Sequence, residues 1–398
     1  MIDTAWLEAC RELVSGQRDQ IITLAQRLVK LPSLSGQEGA VAEAVLEAMQ
    51  QLDFDESWVD PAGNVIGIVK GGDGPTTMFN GHMDVVDPGN PDDWKYPAFG
   101  AEIKQGLMWG RGSADMKCAL AAMIFAASLF KQWQRRPAGD VIVTAVTMEE
   151  IGGWGTHLLL ANSALHADRA VVGEPTNNRL VPGHRVRMVL QAHIRGESRH
   201  SSLADHETNP LFTLARFINA LPGVTASLRQ QVGYLTITPT VTFCPPGDSN
   251  ITPATITQTL DVRADPDVDA KLVISELDKL LRNSLGQQCA GQVGLVKLQV
   301  KTYTGVELEV DNLVPGYVLP KNDPWLNECE RKLSQVIGQE PLGEVAQFTC
   351  DASRLYQAGI PTVMFGPGDI SVAHTTAEKI SVDQFLESVV GYMALVHP

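Results

Sequence analysis

The hydrophobic and polar positions of the first 180 residues follow two alternating spacings. Apolar residues recur every three or four positions over residues 5–30 and Gly39–Gln51, which predicts one or two amphipathic helices followed by another. Short β-branched runs then flank one more helical stretch. The predicted strands are Asn64–Val69, Thr76–Phe79, Val141–Val146 and Arg169–Val172, and the helix among them is Lys117–Phe130. This alternation predicts an α/β fold in which helices cover a sheet.

A different order of elements begins near residue 183. The predicted elements are the strand Val186–Ile194, the helix Asn209–Ala220, the strands Tyr234–Thr242 and Thr255–Arg263, the helix Val268–Ser284 and the strand Val293–Tyr303. This βαββαβ order is typical of a small two-layer α+β domain. The later predicted elements are the helix Asp323–Ile337, the strand Thr362–Phe365 and the helix Val382–Leu395. We therefore predict an α/β domain, residues 1–182 and 299–398, interrupted by an inserted α+β domain, residues 183–298.

Composition and charge disfavour several classes of protein. The chain has 398 residues, of which 44% are hydrophobic and 19% are charged, as expected for a folded protein with a core. It contains 31 Lys and Arg residues and 46 Asp and Glu residues, which gives a formal net charge of −15. Nucleic-acid phosphates and anionic membranes attract basic surfaces, so this acidic balance predicts neither partner.

The N-terminal segment and the cysteines both predict a cytoplasmic protein. Acidic and polar residues are frequent near the N-terminus, and no apolar stretch typical of a signal peptide occurs there. The longest apolar stretch, Ala119–Phe130, has about 12 residues, whereas a membrane-spanning helix needs about 20. The six cysteines are scattered and form no CxxC pair, which favours a reducing compartment over a disulfide framework.

Histidine and acidic residues follow several of the predicted strands. His82 and Asp84 come directly after one strand, and alternate residues of an extended segment point to the same side. Asp115 follows the small residues of GRGSAD and precedes a helix, which it could cap as readily as it could bind a ligand. Each of these fragments is ambiguous when it is taken alone.

Two adjacent acids close another strand. Glu149 and Glu150 follow Val141–Met148, and their mutual repulsion at the end of a sheet is hard to explain by structural needs. Because neighbouring side chains diverge, one acid suits metal binding and the other suits the holding of a water molecule. Glu174 follows a further strand, and His374 lies in the Gly/Pro-rich loop FGPGDISVAHTTAE.

Together these residues predict a metal site. Open α/β sheets bind ligands outside the carboxyl ends of their strands, where these side chains are expected. Two histidines and four carboxylates form a nitrogen and oxygen ligand set that suits zinc, manganese or cobalt. The residues lie far apart in the sequence, so the fold has to assemble the site, unlike the short motif of a zinc finger.

The order of the motifs HMD, GRGSADMK, EEIGG, GEPT and GPG…AHTTAE resembles that of the co-catalytic zinc amidohydrolase and peptidase family. This family includes acetylornithine deacetylase, succinyl-diaminopimelate desuccinylase, aminoacylase and glutamate carboxypeptidase. The resemblance covers essentially the whole chain, including the insert. It implies a zinc-peptidase-like catalytic domain with a mixed sheet flanked by helices, interrupted by a two-layer lid and dimerisation domain.

The resemblance also implies a role for each residue of the site. The matching metal ligands are His82, Asp115, Glu150, Glu174 and His374. Asp115 would bridge two zinc ions per subunit, which Co²⁺ or Mn²⁺ could replace. His82 and Glu174 would complete one site, and the remaining two ligands would complete the other. Asp84 matches the acid that orients His82, and Glu149 matches the general base.

Three residues of the insert match family residues that act on the substrate. His200, in the motif HSS, would help to stabilise the oxyanion of the reaction, often across a dimer interface. Asn250 and Arg263 match residues that hold the substrate carboxylate. The insert also begins with a basic stretch that contains Arg185, Arg187, Arg195 and Arg199. A solvated strand face is the simpler explanation for most of these arginines, but the stretch also suits a small anionic substrate. We expect a homodimer.

The chain departs from the family pattern at three points. The stretch SLADHETNP replaces the usual residues after HSS, and the insert begins with GHR where Lys-Gly is common. Cys118 replaces a glycine that usually follows DMK. The motifs GHRVRM, YTGVELEVD and NPDDWKYPAFG are most similar to a subgroup of selenium-metabolism hydrolases, which puts the substrates of the better-known relatives in doubt.

The resemblance implies a metal-dependent hydrolase that cleaves the amide bond of N-acyl amino acids. A metal-activated water attacks the carbonyl group, and Glu149 accepts and returns the proton. The alternative is a dipeptidase or carboxypeptidase with the same di-metal site. A metal-binding protein without catalysis would be expected to lose Glu149 before the ligands. A dinucleotide-dependent enzyme would show GxGxxG after the first strand, where residues 71–74 read GGDG.

Overall fold

The structure is a computed structural model that describes residues 2–162, 165–338 and 343–398. Helices and strands alternate along these residues. The helices are α1 (Thr4–Gly16), α2 (Arg18–Lys30), α3 (Gly39–Gln51), α4 (Lys117–Gln132), α5 (Trp154–Asn162), α6 (Pro210–Val232), α7 (Ala270–Ser284), α8 (Pro324–Ile337), α9 (Ala352–Gln357) and α10 (Val382–Leu395). The strands are β1 (Glu56–Val59), β2 (Val65–Val69), β3 (Thr77–His82), β4 (Glu102–Lys104), β5 (Leu107–Trp109), β6 (Val141–Val146), β7 (Arg169–Val172), β8 (Gly183–His184), β9 (Val186–Arg195), β10 (Leu235–Phe243), β11 (Thr255–Ala264), β12 (Ala290–Leu295), β13 (Lys297–Lys301), β14 (Glu307–Asp311), β15 (Leu313–Val314), β16 (Tyr317–Val318), β17 (Thr362–Met364) and β18 (Lys379–Ser381).

The main sheet has six strands in the order β1-β2-β6-β3-β7-β17. β6, β3, β7 and β17 run parallel to one another, whereas β2 is antiparallel to β6 and β1 is antiparallel to β2. Every residue of β3, β6 and β7 is buried, as expected for central parallel strands that are covered on both faces. The sheet is therefore mixed and flanked by helices, which confirms the predicted fold class.

Helix α4 packs at the centre of the larger domain. Its residues from Lys117 to Phe130 are all buried, and it contacts α2, α10, β3 and β6. A helix with neighbours on all sides needs no polar face, which explains its nearly continuous run of apolar and small residues. Lys117 is the exception, and its Nζ donates a hydrogen bond to the main-chain oxygen of Leu31 at 2.7 Å. Burial lowers the pKa of Lys117 to about 7.

A second sheet has the order β10-β11-β9-β12, and β15 also pairs with β9. Helices α6 and α7 cover one of its faces. Every second residue of β11 is buried, so one face packs against the helices while the other carries polar side chains. This sheet has its own hydrophobic core, which includes Leu190, Phe217 and Leu260. The domain boundaries after residues 182 and 298 stay a prediction, and β15 lies beyond the second of them.

Most of the predicted elements are confirmed. Four begin and end at the predicted residues: Gly39–Gln51, Val141–Val146, Arg169–Val172 and Val382–Leu395. The single predicted strand Val293–Tyr303 is wrong, because β12 and β13 share that stretch and β13 pairs with β14 outside the second sheet. Helix α6 continues beyond Ala220 to Val232, with Pro222 in its interior.

One described helix, α6, is long and apolar enough to span a membrane by length and composition. Its buried residues include Phe217, Leu221 and Leu228, which belong to the core of the second sheet. This packing accounts for the apolar residues of α6, because a helix that covers a sheet needs an apolar face.

The hairpin of β13 and β14 packs against the larger domain. Val300 and Val310 of the hairpin form a small hydrophobic cluster with Met148 and Trp154. These two partners flank the turn that contains Glu149 and Glu150. The hairpin therefore supports the segment in which the sequence predicts a general base and a metal ligand.

The tip of the hairpin contacts a glycine turn. The Tyr303 hydroxyl donates a hydrogen bond to the main-chain oxygen of Gly63 at 3.0 Å. Gly63 has a φ of +91°, and a Cβ atom there would lie 2.3 Å from the Tyr303 ring. Both the backbone conformation and the close approach of the ring therefore require glycine.

Replacing Gly63 by alanine is expected to destabilise the protein more than replacing Gly89. Both glycines have a positive φ, of +91° and +74°, but no atom of the described residues lies within 4 Å of a Cβ atom at Gly89. The shared cost of the left-handed conformation is about 1–2 kcal/mol. Gly63→Ala should lower the free energy of unfolding by about 1–3 kcal/mol more, because its Cβ atom also crowds the Tyr303 ring. Denaturant unfolding of both variants measures the difference, and equal losses would show that Tyr303 does not pack there in solution.

Candidate metal centre

Three neighbouring parallel strands end at the same edge of the main sheet. β3 ends at His82, the segment after β6 leads to Glu149 and Glu150, and Glu174 follows β7. Because β3 lies between β6 and β7, the three carboxyl ends converge, at the usual place for ligand sites in open α/β sheets. Two loops extend this edge with Asp115 and His374.

Five side chains converge there in two groups. One group is His82, Asp115 and Glu174, the other is Asp115, Glu150 and His374, and the ligand atoms of each group lie within 4.8 Å of one another. His82 Nε2 lies 3.0 Å from Asp115 Oδ1, and His374 Nε2 lies 3.2 Å from Asp115 Oδ2. The two oxygens of Asp115 therefore face different histidines, as the oxygens of a carboxylate that bridges two ions would.

The two groups differ in exposure. His82, Asp115 and Glu174 are all buried. In the second group His374 Nε2 lies 3.0 Å from Glu150 Oε2, but half of the His374 side chain is exposed. His374 also has a φ of 62°, in the left-handed region, at the end of its Gly/Pro-rich loop. The second group is therefore the more accessible one.

The chemistry of the donor set fits divalent cations. Four carboxylates, those of Asp115, Glu149, Glu150 and Glu174, lie close together with two imidazoles. Glu174 Oε1 is buried and has no hydrogen-bond partner among the described residues. Such an atom raises the free energy of the fold unless a ligand satisfies it. Imidazole nitrogens and carboxylate oxygens are the ligands of zinc and related ions.

Burial and mutual repulsion disfavour the ionised form of these acids. Burial, and after it the charge of Glu174, raises the pKa of Glu149 well above its usual value. Burial and then the charge of Asp115 raise the pKa of Glu174 in the same way, and raise the pKa of Glu150. Positive charge at this position would relieve the repulsion.

The acids in turn favour protonated histidines. Hydrogen bonds to Asp115 and Glu150 raise the pKa of His374 to about 10. Burial lowers the pKa of His82, but its hydrogen bond to Asp115 and the surrounding carboxylates raise that pKa well above the usual value. Burial opposes ionisation of Asp115, yet the two histidines lower its pKa. Only neutral imidazole binds a metal, so metal binding would displace these protons.

Asp84 holds the turn that presents Glu149 and Glu150. Its Oδ1 accepts the main-chain N–H of Glu149 at 3.0 Å, and its Oδ2 accepts that of Glu150 at 3.1 Å. His82 Nδ1 lies 2.8 Å from the main-chain oxygen of Asp84 and 3.6 Å from its carboxylate. The backbone of Asp84 therefore orients His82, while the carboxylate, expected in that role, acts mainly on the turn.

Two of the substrate residues predicted in the insert lie outside the metal centre. His200 and Asn250 are exposed, and the loops that contain them pair where the main-chain N–H of Ser201 donates to the Asn250 oxygen at 2.8 Å. His200 Nδ1 lies 2.8 Å from the Ser202 hydroxyl. Among the described residues, His200 belongs to neither of the two ligand groups.

The third substrate residue, Arg263, lies near the other end of β11. It borders a cavity of about 580 Å³ that Thr176 and Ile370 also line. Pro175 and Thr176, the two residues that follow Glu174, line this cavity, so it lies next to the segment that carries Glu174. Arg263 Nε donates to Asp261 Oδ1 at 2.8 Å.

The basic stretch at the start of the insert is largely paired. The Arg185 guanidinium lies 3.6 Å from the centre of the Tyr234 ring, and Arg187 Nε lies 3.4 Å from an Asp261 oxygen. Arg199 forms an ion pair with a neighbouring glutamate. The simpler interpretation of this stretch, a strand face with solvated and paired charges, therefore accounts for most of it.

Three buried acids near the site were not identified from the sequence. Glu38 accepts the main-chain N–H of Met148 at 3.1 Å, and burial raises the pKa of Glu38 to about 7. Asp351 accepts a threonine hydroxyl at 2.7 Å, and Glu378 accepts the main-chain N–H of Asp115 at 3.2 Å. Glu378 closes the motif AHTTAE, which was a usable signal, whereas nothing in the sequence around the other two marks them as buried.

Residues 78–397 match the sequence profile of the peptidase family M20/M25/M40. A probable succinyl-diaminopimelate desuccinylase from Staphylococcus epidermidis is 26% identical over 412 residues, which cover 95% of this chain and 97% of the relative. N-formyl-4-amino-5-aminomethyl-2-methylpyrimidine deformylase from Bacillus subtilis is 27% identical over 415 residues, which cover 94% of this chain and 93% of the relative.

Solved structures share the fold. The Bacillus subtilis protein YXEP, a dinuclear metal-binding peptidase from the M20 family, superposes with a TM-score of 0.70 at 16% identity, over 96% of this chain and 98% of that one. These comparisons confirm the resemblance of the motifs. Because the family profile spans most of the chain, this protein belongs to the peptidase family M20/M25/M40 and is a metal-dependent hydrolase of that family.

Proposed function

We propose that the chain is a dinuclear zinc hydrolase that removes the acyl group from N-acyl amino acids. The observation that carries this proposal is the pair of ligand groups that share Asp115, with Glu149 beside them but in neither group. The two curated relatives are named for the removal of a succinyl and of a formyl group. Both names support an acylated amine as the substrate class.

Glu149 is the residue that would move protons. Two divalent ions, when bound, would polarise the amide carbonyl and lower the pKa of a water molecule. The Glu149 carboxylate would accept the proton of that water and return it to the departing amine. Asp84 fixes the backbone of Glu149, because its carboxylate accepts the main-chain N–H of Glu149.

Arg263 supports an anionic substrate. It borders the cavity beside Glu174, and its ion pair with Asp261 uses only Nε. A guanidinium group has five N–H donors, so the others remain available for a carboxylate. The carboxylate of an N-acyl amino acid lies one carbon from the scissile amide, which suits a cation near the metal centre.

A homodimer would complete the site. Arg263 and Thr255 lie at opposite ends of β11, about 26 Å apart at about 3.3 Å per residue. His200 and Asn250 lie beyond the Thr255 end, so one chain does not place them beside Arg263. Strand β10 ends the second sheet and exposes Val241 and Phe243, as an edge that pairs with a second copy would.

An exopeptidase, either a dipeptidase or a carboxypeptidase, is the second candidate. The family that the sequence profile describes is named for peptidases. A dipeptide also places a carboxylate close to the scissile amide, so Arg263 suits it equally well. The leaving amine and the acyl group of a substrate would contact loops that lie outside the ligand groups. These loops would decide between the two substrate classes.

We place the enzyme in the cytoplasm. All six cysteines are free thiols, of which four are buried. Free cysteines are typical of a reducing compartment.

Glu149→Ala is expected to keep two bound zinc ions and to lower kcat by about 10²–10⁴-fold, because it removes only the proton carrier. Mass spectrometry measures the metal content. Turnover is measured with acetyl-, succinyl- and formyl-amino acids and, in parallel, with dipeptides. The zinc-loaded wild-type enzyme should prefer the acyl amino acids, and chelation should abolish its activity. Normal turnover by the variant would exclude Glu149 as the base, and a preference for dipeptides would favour the exopeptidase.

Arg263→Gln is expected to raise KM for N-acyl amino acids about 10–100-fold, since a hydrogen bond to a charged group contributes about 1.5–3 kcal/mol. Arg187→Gln is the matched control, because Arg187 also pairs with Asp261 but does not line the cavity. Substrates whose carboxylate is replaced by an amide should not distinguish Arg263→Gln from the wild type. An equal rise in KM for acid and amide substrates would contradict carboxylate binding by Arg263.

Mixed dimers test whether His200 acts across an interface. His200→Ala and Glu149→Ala should each be nearly inactive alone. Co-assembly of the two variants should restore about a quarter of wild-type activity, because half of the dimers are mixed and each of those has one intact site. Sedimentation measures the dimer, and its mass should be twice the 43.1 kDa of the chain. A monomer, or a mixture without recovered activity, would contradict the shared site.

A further inference from the structure

Glu378 lies in the loop of His374 and contacts the loop of Asp115. Its side chain is fully buried. Glu378 Oε1 accepts the main-chain N–H of Ala114 at 3.1 Å and that of Asp115 at 3.2 Å. One carboxylate oxygen therefore holds the backbone of the residue that both ligand groups share.

The other oxygen of Glu378 forms an ion pair with Arg111, which is also buried. The Arg111 guanidinium lies 5.2 Å from the centre of the Trp94 ring, and its main-chain N–H donates to the Ala98 oxygen at 2.8 Å. Both the backbone and the side chain of Arg111 are thus fixed by other contacts. The ion pair therefore joins Glu378 to a buried neighbour whose main chain has its own hydrogen bond.

The main chain joins the same two loops. The N–H of Gly110 donates to the main-chain oxygen of Glu378 at 3.2 Å. The next residue, Lys379, begins β18, which pairs with β5. The pairing of β18 with β5 therefore lies directly next to Glu378 in the chain and helps to hold Glu378 in place. Gly110, Arg111 and Glu378 together form a clamp on the loop that ends at Asp115.

Stability alone is a weak explanation for this clamp. A buried ion pair contributes little compared with well-packed apolar residues of similar volume, because desolvation opposes its attraction. An apolar pair, however, would leave the N–H groups of Ala114 and Asp115 without an acceptor. A buried N–H group without an acceptor destabilises the fold, so the role of Glu378 as an acceptor depends on its position against this backbone.

The clamp acts unequally on the two ligand groups. In the group that contains Glu150, it holds the loops of both Asp115 and His374. In the group that contains His82, it holds Asp115 alone. The His374 side chain is half exposed, so that its own packing fixes it only in part. The clamp should therefore matter most for the group with His374.

We propose that Glu378 is a positioning residue of the metal centre. It sets the placement of Asp115 relative to His374, and thereby the affinity of the ion that these two residues would share with Glu150. This inference rests on the metal centre of the proposed function. Residues that orient metal ligands typically change metal affinity by about 10–100-fold when they are removed.

Two double variants separate the hydrogen bonds from the ion pair. Arg111→Met/Glu378→Gln lacks the ion pair but keeps a side-chain oxygen for the two N–H groups, whereas Arg111→Met/Glu378→Leu has neither. We expect the Gln form to bind two Co²⁺ ions with affinities close to those of the wild type. In the Leu form, the Co²⁺ affinity of one site should fall about 10–100-fold, and the visible spectrum should change. This should be the same site that His374→Ala weakens. Calorimetry and visible absorption during Co²⁺ titration of metal-free protein measure both sites.

Glu328→Gln controls for the general loss of an Arg–Glu pair. Glu328 pairs with Arg169 at 2.9 Å, and Arg169 begins β7 at the end opposite Glu174. This variant should lower Tm and leave both Co²⁺ affinities unchanged. Suppose that the wild-type chain binds two ions and that the two double variants have equal Co²⁺ affinities and spectra. This result would overturn the role of Glu378 but not the metal centre. Fewer than two ions on the wild-type chain would overturn the metal centre itself and this role with it.

Discussion

Four carboxylates lie close together at one buried edge of the main sheet, and their mutual repulsion decides what the surrounding residues have to provide. Burial and mutual repulsion raise the pKa of Glu149, Glu150 and Glu174, so these acids have no attraction of their own to hold them together. His82 and His374 offset part of the charge, and divalent cations would offset more. The surrounding backbone therefore has to fix every side chain in the cluster, and the strand order β6-β3-β7 does so by bringing three strand ends to one point.

A second set of acids fixes the loops between these strands. Asp84 accepts the N–H groups of the turn with Glu149, Glu38 accepts that of Met148, and Glu378 accepts that of Asp115. Carboxylates suit this work, because the two oxygens of one group can each accept hydrogen bonds from separate backbone donors. The result is that residues outside the ligand groups determine where the ligands point, as is common around metal sites.

In the predicted insert, the residues expected to contact the substrate lie at two different ends of one sheet. Arg263 borders the cavity next to the Glu174 segment, whereas His200 and Asn250 are exposed beyond the other end of β11. The hairpin that follows the predicted insert contacts Gly63 through Tyr303, and Met148 and Trp154 through Val300. The predicted insert is therefore joined to the rest of the chain through a hairpin that supports the segment with the adjacent acids, and it contributes Arg263 to the cavity.

Local patterns along the chain predicted the α/β class, the βαββαβ order and the candidate ligand types, because apolar periodicity and the residues after each strand are local properties. The prediction failed for Val293–Tyr303, since one continuous strand and two consecutive strands that pair in different sheets have the same local pattern and differ only in their pairing partners. Contacts between distant segments place the Asp84 carboxylate on the Glu149 turn, His200 away from Arg263, and Glu378 against Asp115. These outcomes depend on burial and on hydrogen bonds between residues far apart in the chain, such as Ala114 and Glu378, 264 positions apart. No local pattern encodes them.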